Sequence, residues 1–157
     1  MYMKHGKVVF GEKDTYSLPY TLNPIIGAAL LKFKEVEGKS SYRHAAPNNF
    51  IEDVLGQEVQ YTNDDEGFVI REVDEELMST LWDECIDKMI FAFTSEEPDI
   101  MDYDFEMKII KDSDKNLTFM CTDEVENKRY TEDVMEWQDK VNEGYLLFGK
   151  YLQNLWW

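Results

Sequence analysis

Two small groups of residues combine the side-chain types that bind an anion. Ser40-Ser41-Tyr42-Arg43-His44 puts a base, an aromatic ring and hydroxyls into one acid-free stretch. A guanidinium stacks on planar ligands and hydrogen-bonds phosphoryl oxygens, so Tyr42, Arg43 and His44 are candidate ligand-binding residues. The second group is Lys140, Asn142, Lys150 and Tyr151. Lys140 and Lys150 are separated by close to three helical turns, so one helix can hold both near one side. The plainer readings are a solvated loop for the first group, and lysine stems lying beside a buried aromatic stripe for the second.

Other chemistry is poorly represented. The two histidines, His5 and His44, have no metal-ligand neighbour at i+3 or i+4, and there is no Cys-x-x-Cys pair. A zinc or di-iron site is therefore not expected, and no other cofactor is implied. No glycine-rich phosphate loop precedes a helix, no serine sits in an elbow motif, and no cysteine–histidine pair suggests a nucleophile. Asp83, Glu84 and Asp87 would lie on one helix and offer oxygen ligands to a divalent cation, but a solvated acidic face is the simpler reading. No catalytic residue is assigned, and the expectation is a protein that acts by binding.

Charge narrows the partners. The chain carries 33 acids against 16 Lys and Arg, a net charge of −17 over 157 residues. Residues 1–51 hold 4 acids and 7 bases, and residues 107–157 hold 10 acids and 7 bases. Residues 52–106 hold 19 acids against Arg71 and Lys88 alone. The excess is thus concentrated in the middle third. Such a field repels nucleic acid and anionic membranes over roughly 8 Å at physiological salt. Direct binding to either is not expected. A protein that normally grips nucleic acid is a different matter, because an acidic surface can occupy its binding groove. Solubility alone also explains an acidic run.

A hydrophobic fraction of 43% and an aromatic fraction of 14% argue for a folded chain,. The length suits a single domain, residues 1–157, with one core. Apolar stretches such as Pro24–Leu31 are far shorter than the roughly 20 residues of a membrane span, and Met1–His5 lacks the apolar centre of a secretory signal. Cys85 and Cys121 read as small core residues in a reducing compartment, so a cytoplasmic setting is expected.

The elements that must position these residues read as follows. Lys7–Phe10 suggests a short strand stopped by Gly11. A helix opens at Thr21 or Asn23 with Pro24 in its first turn, and carries Leu22, Ile25, Ile26, Ala29, Leu30, Phe33 and Val36 on one face as far as Gly38. Residues 38–49 read as a loop. Gln57–Tyr61 and Phe68–Val73 flank a turn-rich stretch and suggest a hairpin. Asp74 caps a second helix striped by Leu77, Met78, Leu81, Trp82, Cys85, Ile86, Met89, Ile90 and Phe93, ending before Pro98. Residues 102–111 and 117–122 suggest another hairpin.

A third helix, capped by Thr131, follows Tyr130, Val134, Trp137, Val141, Tyr145, Phe148, Leu152 and Leu155 for some 26 residues. Gly144 and Gly149 sit inside it, which points to a close neighbour. The expected fold is α+β: three main helices, the C-terminal one long, packed on one or two small antiparallel β-hairpins. Trp156 and Trp157 extend the last helix with a large apolar surface, which either closes over the core or meets another subunit. They are the candidate interface of a homo-oligomer.

The stretch Lys140–Tyr151, reading Gly144-Tyr145-Leu146-Leu147-Phe148-Gly149-Lys150-Tyr151 at its end, followed by Leu155-Trp156-Trp157, resembles the C-terminal signature of a widespread family of uncharacterised tailed-phage proteins. The segment Asp87–Phe93 is similar to that family's Met-Ile-Phe-Ala-Phe segment, and Thr15-Tyr16-Ser17 with the helix after it to its Trp-Ser stretch and first helix. The short, acidic middle departs from the pattern. The resemblance implies a phage origin and a host-cytoplasm location, and brings no activity with it. Joined to the basic and aromatic residues above, it suggests counter-defence by capture of a small nucleotide-type signal. The alternative is an acidic nucleic-acid mimic that blocks a host protein through residues 52–106.

Overall fold

A computed structural model describes residues 2–4, 7–9, 18–37, 45–104, 107–113, 116–121 and 123–155. The architecture is α+β, as the sequence pattern leads one to expect. In chain order the elements are β1 (Tyr2–Lys4), β2 (Lys7–Val9), α1 (Leu18–Glu37), α2 (Asn48–Leu55), β3 (Tyr61–Asn63), β4 (Val69–Arg71), α3 (Glu75–Thr94), β5 (Met107–Ser113), β6 (Asn116–Cys121) and α4 (Glu124–Tyr151), with single 3₁₀ turns at Ile100–Asp102 and Leu152–Asn154. The strands form three separate antiparallel hairpins, β1–β2, β3–β4 and β5–β6.

Helix α3 is the centre of the molecule. Asp74 caps it by accepting from Leu77 N at 3.0 Å, and Glu75 and Glu76 complement its positive first turn,. Its apolar stripe is wide enough to meet a partner on each flank. Ile86, Met89 and Trp82 are essentially sealed from solvent, together with Ile51 of α2. Both long neighbours run antiparallel to α3. Lys34 of α1 pairs with Asp87 while Gly27 lies against Thr94. On α4, Trp137 bonds Ser95, Gly144 lies on Lys88 and Ala92, and Tyr151 meets Trp82.

Several boundaries differ from the pattern-based expectation, each for a local reason. Helix α1 opens at Leu18, so Pro19 occupies the early position where a missing N–H costs nothing, and Pro24 falls inside the helix,. Helix α4 opens seven residues before Thr131. Asp123 accepts from Val125 N and Glu126 N at 3.0 and 3.1 Å, and Thr131 instead back-bonds the Asn127 carbonyl. That first stretch is polar and gives no periodic signal, but the pairs Lys128–Glu132 and Glu126–Arg129 support it,.

A fourth helix, α2, follows the segment read as a loop. Pro47 opens it, and Gly56 closes it at φ 68°, the left-handed conformation that glycine adopts freely,. The hairpin β3–β4 is shorter than expected: the turn begins at Asp64, whose carboxylate accepts from Glu66 N and Phe68 N at 3.0 and 2.8 Å. Around Asp102 the chain forms a 3₁₀ turn capped by Asp99, so the β5 strand starts only at Met107.

Among the described residues no helix is long and apolar enough to cross a membrane.

Candidate functional site

Two glycines bring the three long helices into near-backbone contact. A Cβ on Gly27 would lie 2.7 Å from Thr94 Cγ2 and 3.1 Å from the Phe93 carbonyl oxygen. A Cβ on Gly144 would lie 2.3 Å from the Lys88 carbonyl oxygen and 2.5 Å from Ala92 Cβ. Above these contacts, the first turns of α1, the end of α3 and the middle of α4 diverge around a cleft of about 560 Å³. That volume falls in the range of small-ligand sites.

The rings of Tyr20, Phe93, Trp137 and Tyr145 line the cleft, with Glu96 and Glu97 at its edge. Two hydrogen bonds fix the rings on the α4 side. Trp137 Nε1 donates to Ser95 Oγ at 3.0 Å, and Asn23 Nδ2 donates to the Tyr145 hydroxyl at 2.6 Å. Phe93 packs on Tyr145 with ring centroids 5.0 Å apart. Tyr20, by contrast, is 84% exposed at the rim. Helix α3 ends at the cleft, and its last carbonyls carry the negative end of the helix dipole,. Inside α1, Pro24 withdraws the N–H that a regular helix would give the Tyr20 carbonyl,. The lining contains no Lys, Arg or His among the described residues. Hydrogen-bond acceptors and aromatic rings thus share this cleft.

None of the described residues singled out from sequence, Lys140, Asn142, Lys150 and Tyr151, lines this cleft. Tyr42, Arg43, His44, Trp156 and Trp157 fall outside the described residues. Tyr151 is 3% exposed and packs edge-on against Phe50 and Trp82 at 5.5 and 5.6 Å. Its hydroxyl donates to Asp53 Oδ2 at 2.6 Å, and the same oxygen takes the Lys150 ammonium at 2.8 Å. The Lys150 hydrogen bond, seconded by that of Tyr151, holds the Asp53 carboxyl below its usual range,. Burial, seconded by the hydrogen bond to Asp53, pushes the Tyr151 phenol up to about 12.

Lys140 is spent differently. It pairs with Glu136 at 2.6 Å and lines a second recess of about 400 Å³ with Asp87, Lys88, Phe91 and Glu143. Asn142 is exposed on the same helix. Lys140 and Lys150 thus hold different carboxylates on different elements, α4 itself and α2. Asp83, Glu84 and Asp87 do not assemble into a cage: among the described residues no three His, Cys, Asp or Glu side chains come together for a metal ion.

A third recess, about 540 Å³ and almost wholly apolar, runs between α1 and the end of α4 past Ile25, Ile26, Leu30, Phe148, Leu152 and Leu155.

The cleft residues were missed because Trp137 and Tyr145 fit the same three- and four-residue spacing as core positions. The available signal was the adjacent acids Glu96-Glu97 just before Pro98, where the helix has to stop. No family model matches the chain, and no curated protein and no solved structure matches it either.

Proposed function

We propose that this is a phage-encoded, non-enzymatic accessory protein that works in the host cytoplasm by presenting an acidic surface to a basic, nucleic-acid-binding host protein. One observation carries the reading. The only two bases in residues 52–106 are both engaged by carboxylates, Arg71 with Glu75 at 2.6 Å and Lys88 with Glu143 at 2.7 Å. Glu72, Glu76, Glu84, Glu96, Glu97, Asp102 and Asp104 are left exposed without an ion-pair partner among the described residues. The field they produce steers a cationic partner toward the molecule and is screened by salt. Phage origin rests on the C-terminal signature from Gly144 to Trp157.

The test is capture of partners from host lysate on the immobilised protein. A nucleic-acid-binding protein should be retained at about 50 mM salt, displaced by duplex DNA, and released as screening shortens toward about 3 Å near 1 M. Retention that ignores salt, or capture that DNA does not displace, refutes the mimic.

A second reading, sequestration of a small nucleotide-type signal, draws support from the recess at Lys88, Phe91 and Lys140, where a ligand phosphate would have to displace Glu143 and Glu136 from the two ammoniums beside a partly exposed aromatic ring. Arg43, Lys150 and homo-oligomerisation through Trp156 and Trp157 belong to the same proposal. Calorimetry against cyclic nucleotides and ADP-ribose derivatives tests it, and no heat at high micromolar ligand refutes it.

A further inference from the structure

We infer that the cleft between α1, the end of α3 and the middle of α4 is a receptor for the cationic end of an arginine or lysine side chain carried by a basic protein segment. The inference rests on the basic-partner reading and gives that reading a point of contact.

The cleft meets the three requirements of cation recognition. A cation is attracted to the faces of Trp and Tyr rings, most strongly to Trp, and Trp137, Tyr145 and Tyr20 all line the space,. It needs opposite charge nearby, and Glu96, Glu97 and the carbonyl end of α3 provide it from one side,. Finally, nothing may compete for the place, and the lining holds no Lys, Arg or His among the described residues.

Preorganisation adds to this. Trp137 and Tyr145 are anchored through Ser95 and Asn23, so their rings are not free to collapse into the empty space,. The volume of about 560 Å³ admits a whole guanidinium and its stem. A phosphorylated ligand is disfavoured by the same groups, because its charge would face two carboxylates and the negative end of a helix. Tyr20 also finds a use here. An aromatic ring 84% exposed beside a cleft is the part that can close over the stem of an entering side chain,.

The experiment uses the full chain and a short acetylated, amidated peptide of alternating arginine and glycine. Binding is followed in low salt through the indole N–H resonance of Trp137, assigned by its loss in Trp137→Phe. The resonance should shift and saturate with peptide. Glu96→Gln combined with Glu97→Gln should weaken binding about tenfold, and Tyr20→Ala, which removes an exposed ring, roughly threefold. A triple variant outside the cleft, Asp64→Asn with Asp65→Asn and Glu66→Gln, should change it less than about twofold.

If peptide binds but the Trp137 resonance stays still, or if the outlying triple variant weakens binding as much as the cleft pair, the site is wrong and the charge reading survives as diffuse attraction. An equal response to spermidine overturns the assignment to a peptide side chain. No binding of the arginine peptide at all removes both the site and the basic-partner reading.

Discussion

The hydroxyl of Tyr151 donates to Asp53 Oδ2 at 2.6 Å, which ties the last turn of α4 to the last turn of α2. Tyr151→Phe removes that bond and keeps the ring contacts with Phe50 and Trp82. The expected cost is about 1 kcal/mol in urea unfolding.

The pH dependence of this contact has a definite sign. The folded pKa of Tyr151 is raised to about 12, so its contribution is fully present below the unfolded value near 10 and is lost as pH climbs between the two,. Asp53 is depressed, so its contribution is present above the ordinary carboxylate range and fades as pH falls below it,. Wild type should therefore lose stability faster than Tyr151→Phe between about pH 10 and 12. Parallel alkaline profiles for the two proteins would show that the phenol is not held neutral by the fold.

Two glycines in one helix should respond to alanine in opposite directions. At Gly144 a methyl group meets the Lys88 carbonyl oxygen at 2.3 Å, and a backbone atom cannot step aside as a side-chain tip can. Gly144→Ala should cost at least about 1–3 kcal/mol through forced separation of α3 and α4. At Gly149 a Cβ would meet nothing within 4 Å among the described residues beyond its own stretch of helix, so Gly149→Ala should gain about 0.5–1 kcal/mol from helix propensity alone,. Paired denaturation curves decide it, and a loss at both positions would mean that Gly149 is packed after all.

This pair also shows what the sequence made legible. Glycine inside a strongly striped helix correctly pointed to a close neighbour at Gly144, and the long stripes of α3 and α4 located both helices. Pattern failed where elements were short or polar. Helix α2 has two turns, too few for periodicity to show, yet it supplies Phe50 and Ile51 to the core. The cleft was invisible for a different reason. Asn23 and Tyr145 are 122 residues apart in the chain, and Trp137 and Ser95 are 42 apart, so only the fold makes them neighbours. Lys150 had the right chemistry for an anion, but its ion pair with Asp53 depends on a helix that the sequence pattern did not announce.

Cys85 should be chemically quiet. It is 5% exposed on the inner face of α3, and burial pushes its thiol up to about 11. At pH 8 the thiolate, the reactive form, is then about a hundredfold scarcer than for a free cysteine. In a Cys121→Ser background, the native protein should react with a disulfide reagent only through opening of the fold, at least about a hundredfold more slowly than the same chain in denaturant. Modification within seconds, in proportion to reagent, would place the thiol at the surface.

Arg71 is one of two cations in the acidic third of the chain, and its geometry explains why it does not offset that charge for a partner. It is largely covered, with side-chain exposure of 16%. Its guanidinium donates twice to Glu75, at 2.8 and 2.6 Å, and once each to the Ala46 carbonyl at 2.7 Å and Asn48 Oδ1 at 3.1 Å. One side chain therefore joins β4, α2 and α3. Ala46 is nearly sealed from water, so its carbonyl oxygen depends on this donor. Arg71→Ala strands that acceptor and should cost about 2–3 kcal/mol. Arg71→Lys should recover little of this, because an ammonium cannot span the fork of acceptors. Glu75→Gln should cost less than about 1 kcal/mol, since that carboxylate is half exposed,. The decisive comparison is between the two partners of the same ion pair. Equal losses at Arg71 and Glu75 would mean that the salt bridge itself is the stabilising contact, whereas a loss confined to Arg71 assigns it to the buried carbonyl.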